Sequence, residues 1–272
     1  MANWGNVSSR GEVEDRRAFG PTAIGGGLGV TGLLVVLAFQ LLAGGDVTDV
    51  VTELANSRVQ TQSQYSTQDF EGRDSYEEFA ATVLGSNNDT WSRVFAQNNK
   101  TYSPPKLVLF RGSTPSGCGG ATSDAGPHYC PLDQTIYLDE TFFDELKSRF
   151  HAQGGDVAEA YVISHEVGHH VQNQLGILEK VDDNETSIKA ELQADCFAGL
   201  WAYSIRNLNV FEPNEIREAL DAAAAVGDDR IQKTVTGRVH PETWTHGSSD
   251  ERVRWFTSGF EKGSVAQCDT FK

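Results

Sequence analysis

Charge disappears from the chain between Ala18 and Gly45, and within that stretch Leu28 to Leu42 (LGVTGLLVVLAFQLL) is almost wholly apolar. Residues 21–43 thus supply the ~20 mostly apolar positions that a bilayer-crossing helix requires, with glycines of the sort membrane helices tolerate. Arg10, Arg16 and Arg17 precede the stretch, whereas Arg58 is the first basic residue after it. The positive-inside bias then predicts a cytoplasmic N-terminal tail (1–20), one transmembrane helix (21–43) and a domain (44–272) beyond the cell membrane, periplasmic or extracellular. A cleaved signal peptide fits less well: the leading region is long and mixed in charge, no A-x-A site follows the apolar run, and LLAGG lacks a lipoprotein cysteine.

Past the apolar stretch the period of the pattern changes. Asp46 to Gln64 reads as a helix or stalk, and Ser75 to Gln97 carries a helical repeat interrupted near Gly85. Lys106 to Phe110 (KLVLF) and Thr135 to Leu138 (TIYL) are short β-branched and aromatic runs between turn residues, which predicts a small sheet. Asp156, with Glu159 three positions on, can open a helix that Gly176 closes. A second helix starts near Asn184 to Ser187, and a third, containing Ala222 to Ala225, is opened by Pro213 and closed by Gly227. There is no internal repeat.

The 272 residues suffice for one sizeable domain with an anchor. With 22 basic against 38 acidic side chains the formal charge is −16, which excludes an electrostatic grip on nucleic acid. All four cysteines, Cys118, Cys130, Cys196 and Cys268, follow the apolar stretch, where an oxidising compartment permits disulfides. Four cysteines allow three connectivities; Cys118 and Cys130 bracket one short Gly-rich loop and form the favoured bridge, leaving Cys196 for Cys268. No C-x-x-C spacing marks a thiolate zinc site.

Within the helix that begins at Asp156 stands HEVGH, His165 to His169. Positions i and i+4 project within about 40° of each other, so both imidazoles can reach one metal ion. Glu166, about 60° from His169 on the same wheel, can meet a water at that ion without ligating it, the position of a general base. A catalytic zinc needs one further protein ligand beside two histidines, and the following helix offers Glu191 and Asp195 on one face in ELQADCFAGLW. Glu191 fits as that ligand. Asp195 is then free to accept the outer N–H of a ligating histidine and fix its tautomer.

These residues resemble the gluzincin metallopeptidases, in which HExxH is followed by an E-x-x-x-D helix. More narrowly, EVEDRR, GCGGATSDAGPHYCP, YLDETFF, SHEVGHHVQ, ELQADCFAGLWA and THGSSDERVRWF are similar to the bacterial neutral zinc metallopeptidase family. The resemblance implies an α+β, zincin-like fold with an active-site helix, a small sheet and a second metal-ligand helix, and a substrate-side strand near Thr135 to Asp139. It also implies a single Zn2+, held by His165, His169 and Glu191, and hydrolysis of protein or peptide substrates with Glu166 as base. In THGSSDER, His246 is the candidate oxyanion donor, with Arg252 as a second positive group. Ser248 to Glu251 also reads as a helix capping box, so His246 has a structural alternative, and His240 or Tyr161 could serve in its place. His170 points about 100° away from His169 and is assigned a supporting or structural part; His128 and His151 carry no signal. The same constellation would also suit a membrane-tethered zinc-binding module without turnover, although such a module has no need of Glu166.

Overall fold

The computed structural model describes residues 1–18, 74–212 and 214–272. A mixed sheet runs in the order β1 (Val13–Asp15), β2 (Lys106–Leu109), β6 (Thr135–Leu138), β5 (His128–Cys130), with β1, β2 and β6 parallel and β5 antiparallel to β6. A hairpin of β3 (Ser113–Ser116) and β4 (Gly119–Thr122) stands beside it. Seven α-helices are found among the described residues: α1 (Ser75–Gln97), α2 (Thr141–Ser148), α3 (Asp156–Gln174), α4 (Asn184–Ile205), α5 (Ile216–Ala225), α6 (Asp228–Thr236) and α7 (Ser249–Lys262). The arrangement is α+β. The two strands read from KLVLF and TIYL are β2 and β6, and every residue of β6 is buried.

The core lies between the sheet and α1, α3 and α4, filled by Trp91, Phe197, Trp201, Tyr161, Leu107 and Ile136. The polar signals around these helices explain their ends. Asp183 caps α4 by accepting the Thr186 N–H at 2.8 Å, and Ser248 and Glu251 form the capping box that opens α7. Helix α3 differs from expectation. Its N-cap is Gly155; Asp156 is the first helical residue, and its carboxylate accepts the Ala2 backbone N–H and the Trp4 indole N–H, both at 2.8 Å. Gly176 follows the helix with φ +68°, as a C-terminal stop requires. Of the helix placed between Pro213 and Gly227, residues 216–225 are helical and Gly227 then caps α6; Pro213 lies outside the described residues.

Helix α1 is unbroken where the pattern predicts an interruption. Gly85 is there because a Cβ would sit 2.5 Å from the backbone nitrogen of Arg10, so the N-terminal segment crosses the helix at that point. Residues 1–18 are accordingly part of the fold rather than a tail standing apart. Trp4 stacks on Trp201 at 6.3 Å between centroids, Val7 is buried, and β1 pairs in register with β2. The predicted membrane helix, 21–43, and the stalk, 46–64, lie outside the described residues. Among the described residues no helix is long and apolar enough to cross a membrane.

Both disulfides have the expected partners. Cys118–Cys130 ties the loop after β3 to β5, and Cys196–Cys268 ties α4 to the C-terminal segment across 72 positions. Where α4 crosses α7, Gly199 faces the Phe256 carbonyl and Gly259 faces the Cys196 carbonyl, each so closely that a Cβ would overlap the facing oxygen. The two helices therefore touch backbone to backbone.

Candidate metal centre

Helix α3 brings His165 and His169 to one face, as the i, i+4 spacing dictates. Helix α4 packs against it at Gly168, where a Cβ would stand 3.0 Å from the Ala194 Cα. This close crossing carries Glu191 to the two imidazoles. Nε2 of His165 lies 3.1 Å from Glu191 Oε2, Nε2 of His169 lies 3.3 Å from Glu191 Oε1, and the two Nε2 atoms are 3.1 Å apart. Ligands ~2.0–2.2 Å from a tetrahedral zinc are about 3.3–3.6 Å from one another, so this donor set lies within a few tenths of an ångström of the spacing such an ion requires. The three side chains form a group that could hold a metal, with donor atoms all within 4.8 Å of one another.

Each imidazole is oriented from behind. His165 Nδ1 is 2.9 Å from Asp195 Oδ1 and His169 Nδ1 is 2.9 Å from Gln172 Oε1, an arrangement in which each ring donates through Nδ1 and turns Nε2 toward the centre. Asp195 is fully buried and also accepts the Tyr161 hydroxyl at 2.5 Å and the Arg252 guanidinium at 2.8 and 3.0 Å. Burial alone would raise the Asp195 pKa, but Arg252 and His165 outweigh it and hold the group below its ordinary value. Glu191 is likewise pulled well below the carboxylate range, burial being overcome by His169 and His165. Burial would lower the His165 pKa, yet the charges of Asp195 and Glu191 push it up to about 10. His169 shifts upward against burial through Glu191. The carboxylates of buried Asp195 and partly buried Glu191 thus ask for positive charge at the point where the Nε2 atoms converge, supplied by protons or by a metal cation.

A cleft of about 530 Å³ opens over this point. His165, Glu166, His169 and Glu191 line its floor together with Arg252, while Phe142, Val162, Val226 and Ile231 give it apolar walls. Glu166 is buried in that floor beside the ligand group. His246 is half-exposed at the rim, placed by Asp228 at the start of α6: Asp228 Oδ2 accepts the backbone N–H groups of Thr245, His246 and Gly247 at 2.8, 2.6 and 3.0 Å, and Oδ1 lies 3.2 Å from His246 Nδ1. Tyr161 spends its hydroxyl on Asp195, and the exposed His240 pairs with Glu242 away from the cleft.

Three readings from the sequence change here. Arg252, taken as a second positive group for the oxyanion, is buried and bound to Asp195 behind His165, with Glu191 3.8 Å away, so its charge is shared with these two carboxylates. The strand beside the cleft is β5 rather than Thr135 to Asp139: β6 is bonded on both sides by β2 and β5 and has no free edge, whereas Gly126, Pro127, His128 and Tyr129 line the cleft. His128, without signal in the sequence, stacks on Tyr137 at that wall. His170 is structural as assigned: it is buried between Tyr102 and Tyr129, burial lowers its pKa to about 4, and it lies 2.6 Å from the Ser103 carbonyl. Sequence reasoning missed Gln172 and Asp228. Gln172 lies one helical turn from His169 and was within reach of an i, i+3 search; Asp228 acts on a loop 17 to 19 positions away and left no local trace.

An HExxH helix crossed by a second helix that brings a carboxylate, with a hydrogen-bonded support behind each histidine, is a candidate metal site of the kind that zinc metallopeptidases carry. Residues 2–271 match a family model described as "Putative neutral zinc metallopeptidase", and the chain belongs to that family. It is 42% identical to the Escherichia coli K12 protein YpfJ over 283 aligned positions, covering 98% of each chain. It is 47% identical to the Mycobacterium tuberculosis protein Rv2575 over 185 positions, covering 62% of this chain and 63% of that one. Both relatives are described as uncharacterized proteins. No solved structure matches.

Proposed function

We propose that the protein is a zinc-dependent endopeptidase acting on protein or peptide substrates outside the cytoplasm. The observation that carries the reading is the convergence of His165, His169 and Glu191 at tetrahedral-ligand spacing with Glu166 beside them in the floor of an open cleft. One zinc ion bound there supplies Lewis acidity that polarises a scissile carbonyl and makes water a nucleophile near neutral pH. Glu166 accepts a proton from the attacking water and delivers it to the departing amine, so that one water is consumed and an acid and an amine leave. Asp195 and Gln172 keep the imidazoles in the ligating tautomer throughout. His246, held by Asp228, donates to the carbonyl oxygen as negative charge develops on it. The two disulfides support an oxidising compartment.

The test uses the full chain in detergent, with zinc content and hydrolysis of an unstructured protein such as casein measured together. Wild type and Glu166→Gln should each hold zinc near one equivalent, Glu191→Ala should lose it, and only wild type should cleave, the base being worth ~10²–10⁴ in rate. Zinc bound by wild type with no cleavage across a panel of unfolded proteins would instead assign a zinc-binding module, and zinc in none of the three would remove the metal site.

A further inference from the structure

The N-terminal residues and the catalytic body are joined too intimately to lie on opposite sides of a bilayer. Asn3 N–H donates to the Val210 carbonyl at 2.7 Å, Gly11 N–H to Ala81 at 2.7 Å, and Arg16 N–H to Leu109 at 2.7 Å, beyond the end of the β1–β2 ladder. The indole of Trp4 is enclosed by Trp201, Phe79 and Phe211. At the last described residues before the apolar stretch, buried Arg17 pairs with Asp15 at 2.7 Å, Glu140 at 3.3 Å and Asp74 at 3.0 Å. Asp74 is the first residue described after that stretch. The chain therefore departs and returns at adjacent points, whereas a single crossing would part them by a hydrocarbon core of ~30 Å.

The arginines that suggested a cytoplasmic tail have another use. Arg10 donates to the Val7 and Ser9 carbonyls, Arg16 makes a two-pronged pair with Glu14 at 2.7 and 3.0 Å, and Arg17 is the buried clasp just described. Folding accounts for these residues, so they no longer report orientation. We propose that residues 1–18 and the catalytic body occupy the same compartment, so that any membrane attachment through the intervening apolar stretch leaves both of its ends on one side. With two disulfides in the body, that side is the oxidising one. A partner bilayer would then meet the domain where Arg17 and Asp74 adjoin Glu140, two residues before Phe142 at the cleft wall.

The experiment uses the full chain in its host membrane. Ser8→Cys and Lys272→Cys, both at exposed positions, are labelled separately with a membrane-impermeant maleimide in intact spheroplasts and after permeabilisation; the four native cysteines are paired and silent. Labelling of both sites before permeabilisation is expected, and labelling of both only after it overturns the placement on the oxidising side. One site labelled from outside and the other only after permeabilisation overturns the proposal.

Discussion

Replacing Asp195 by Asn tests whether the side chain behind His165 sets the metal affinity. The substitution keeps shape and size but removes the charge and turns one acceptor into a donor. Oδ2 now accepts Arg252 Nε–H at 2.8 Å, while Oδ1 receives Tyr161, His165 and the second Arg252 nitrogen. With Asn, either the amide NH2 opposes Arg252 Nε–H or it opposes the three donors on the other side, so a buried donor faces a donor in both orientations. Two consequences follow. Losing a charge-assisted hydrogen bond to the buried Arg252 costs about 1.5–3 kcal/mol of folding stability. Losing the carboxylate that orients a ligating histidine weakens zinc binding ~10–100-fold, or about 1.4–2.7 kcal/mol. Competition titration of the full chain in detergent against a chromophoric zinc chelator gives the affinity, and circular dichroism checks the fold. Tyr161→Phe removes one neutral donor from the same carboxylate and should shift zinc affinity by only a few-fold. If D195N folds and binds zinc within two-fold of wild type, to take ~0.4 kcal/mol as experimental scatter, the assigned part of Asp195 is refuted.

The remaining predictions concern the scaffold and the protons at the site. Opening the 72-position disulfide loop with Cys196→Ser and Cys268→Ser should cost roughly 4 kcal/mol in denaturant unfolding of the metal-loaded chain. Gly259→Ala puts a Cβ against the Cys196 carbonyl and should destabilise by about 3 kcal/mol through forced separation of α4 and α7; an unchanged unfolding midpoint would show that the helices yield freely. In the metal-free chain His165 is raised from 6.5 to about 10, so its contribution to stability is complete below pH 6.5 and is lost as pH climbs toward 10, which thermal melts after chelation will follow. Zinc must displace that proton, so affinity should rise with pH across the same window, by about tenfold per pH unit for each proton released.

What the sequence could reveal was local. HEVGH and ELQAD each put two functional side chains one turn apart on a helix, so the ligand group was legible before any tertiary contact was known. The capping box of α7 and the β-branched strands were legible for the same reason. The edge of the sheet was not, because β2 pairs with β6 across intervening strands and hydrophobicity alone cannot say which strand ends up outermost. The N-terminal strand was hidden more deeply: VED is short and mostly charged, and a buried Arg17 looks in sequence like any basic residue before an apolar run. Asp228 and Arg252 serve groups on other elements, so their spacing from the motifs carried no period to detect.

Arg252 also sets a timetable. The guanidinium that neutralises Asp195 lies 57 positions after it and 87 after His165. At a synthesis rate of ~5–20 residues per second, the ligating histidines exist for roughly 4–17 s before their last support is made. Until then Asp195 lacks the guanidinium that pairs with both of its oxygens, and the support behind His165 is incomplete. The metal centre is therefore completed only when the last helix has been made.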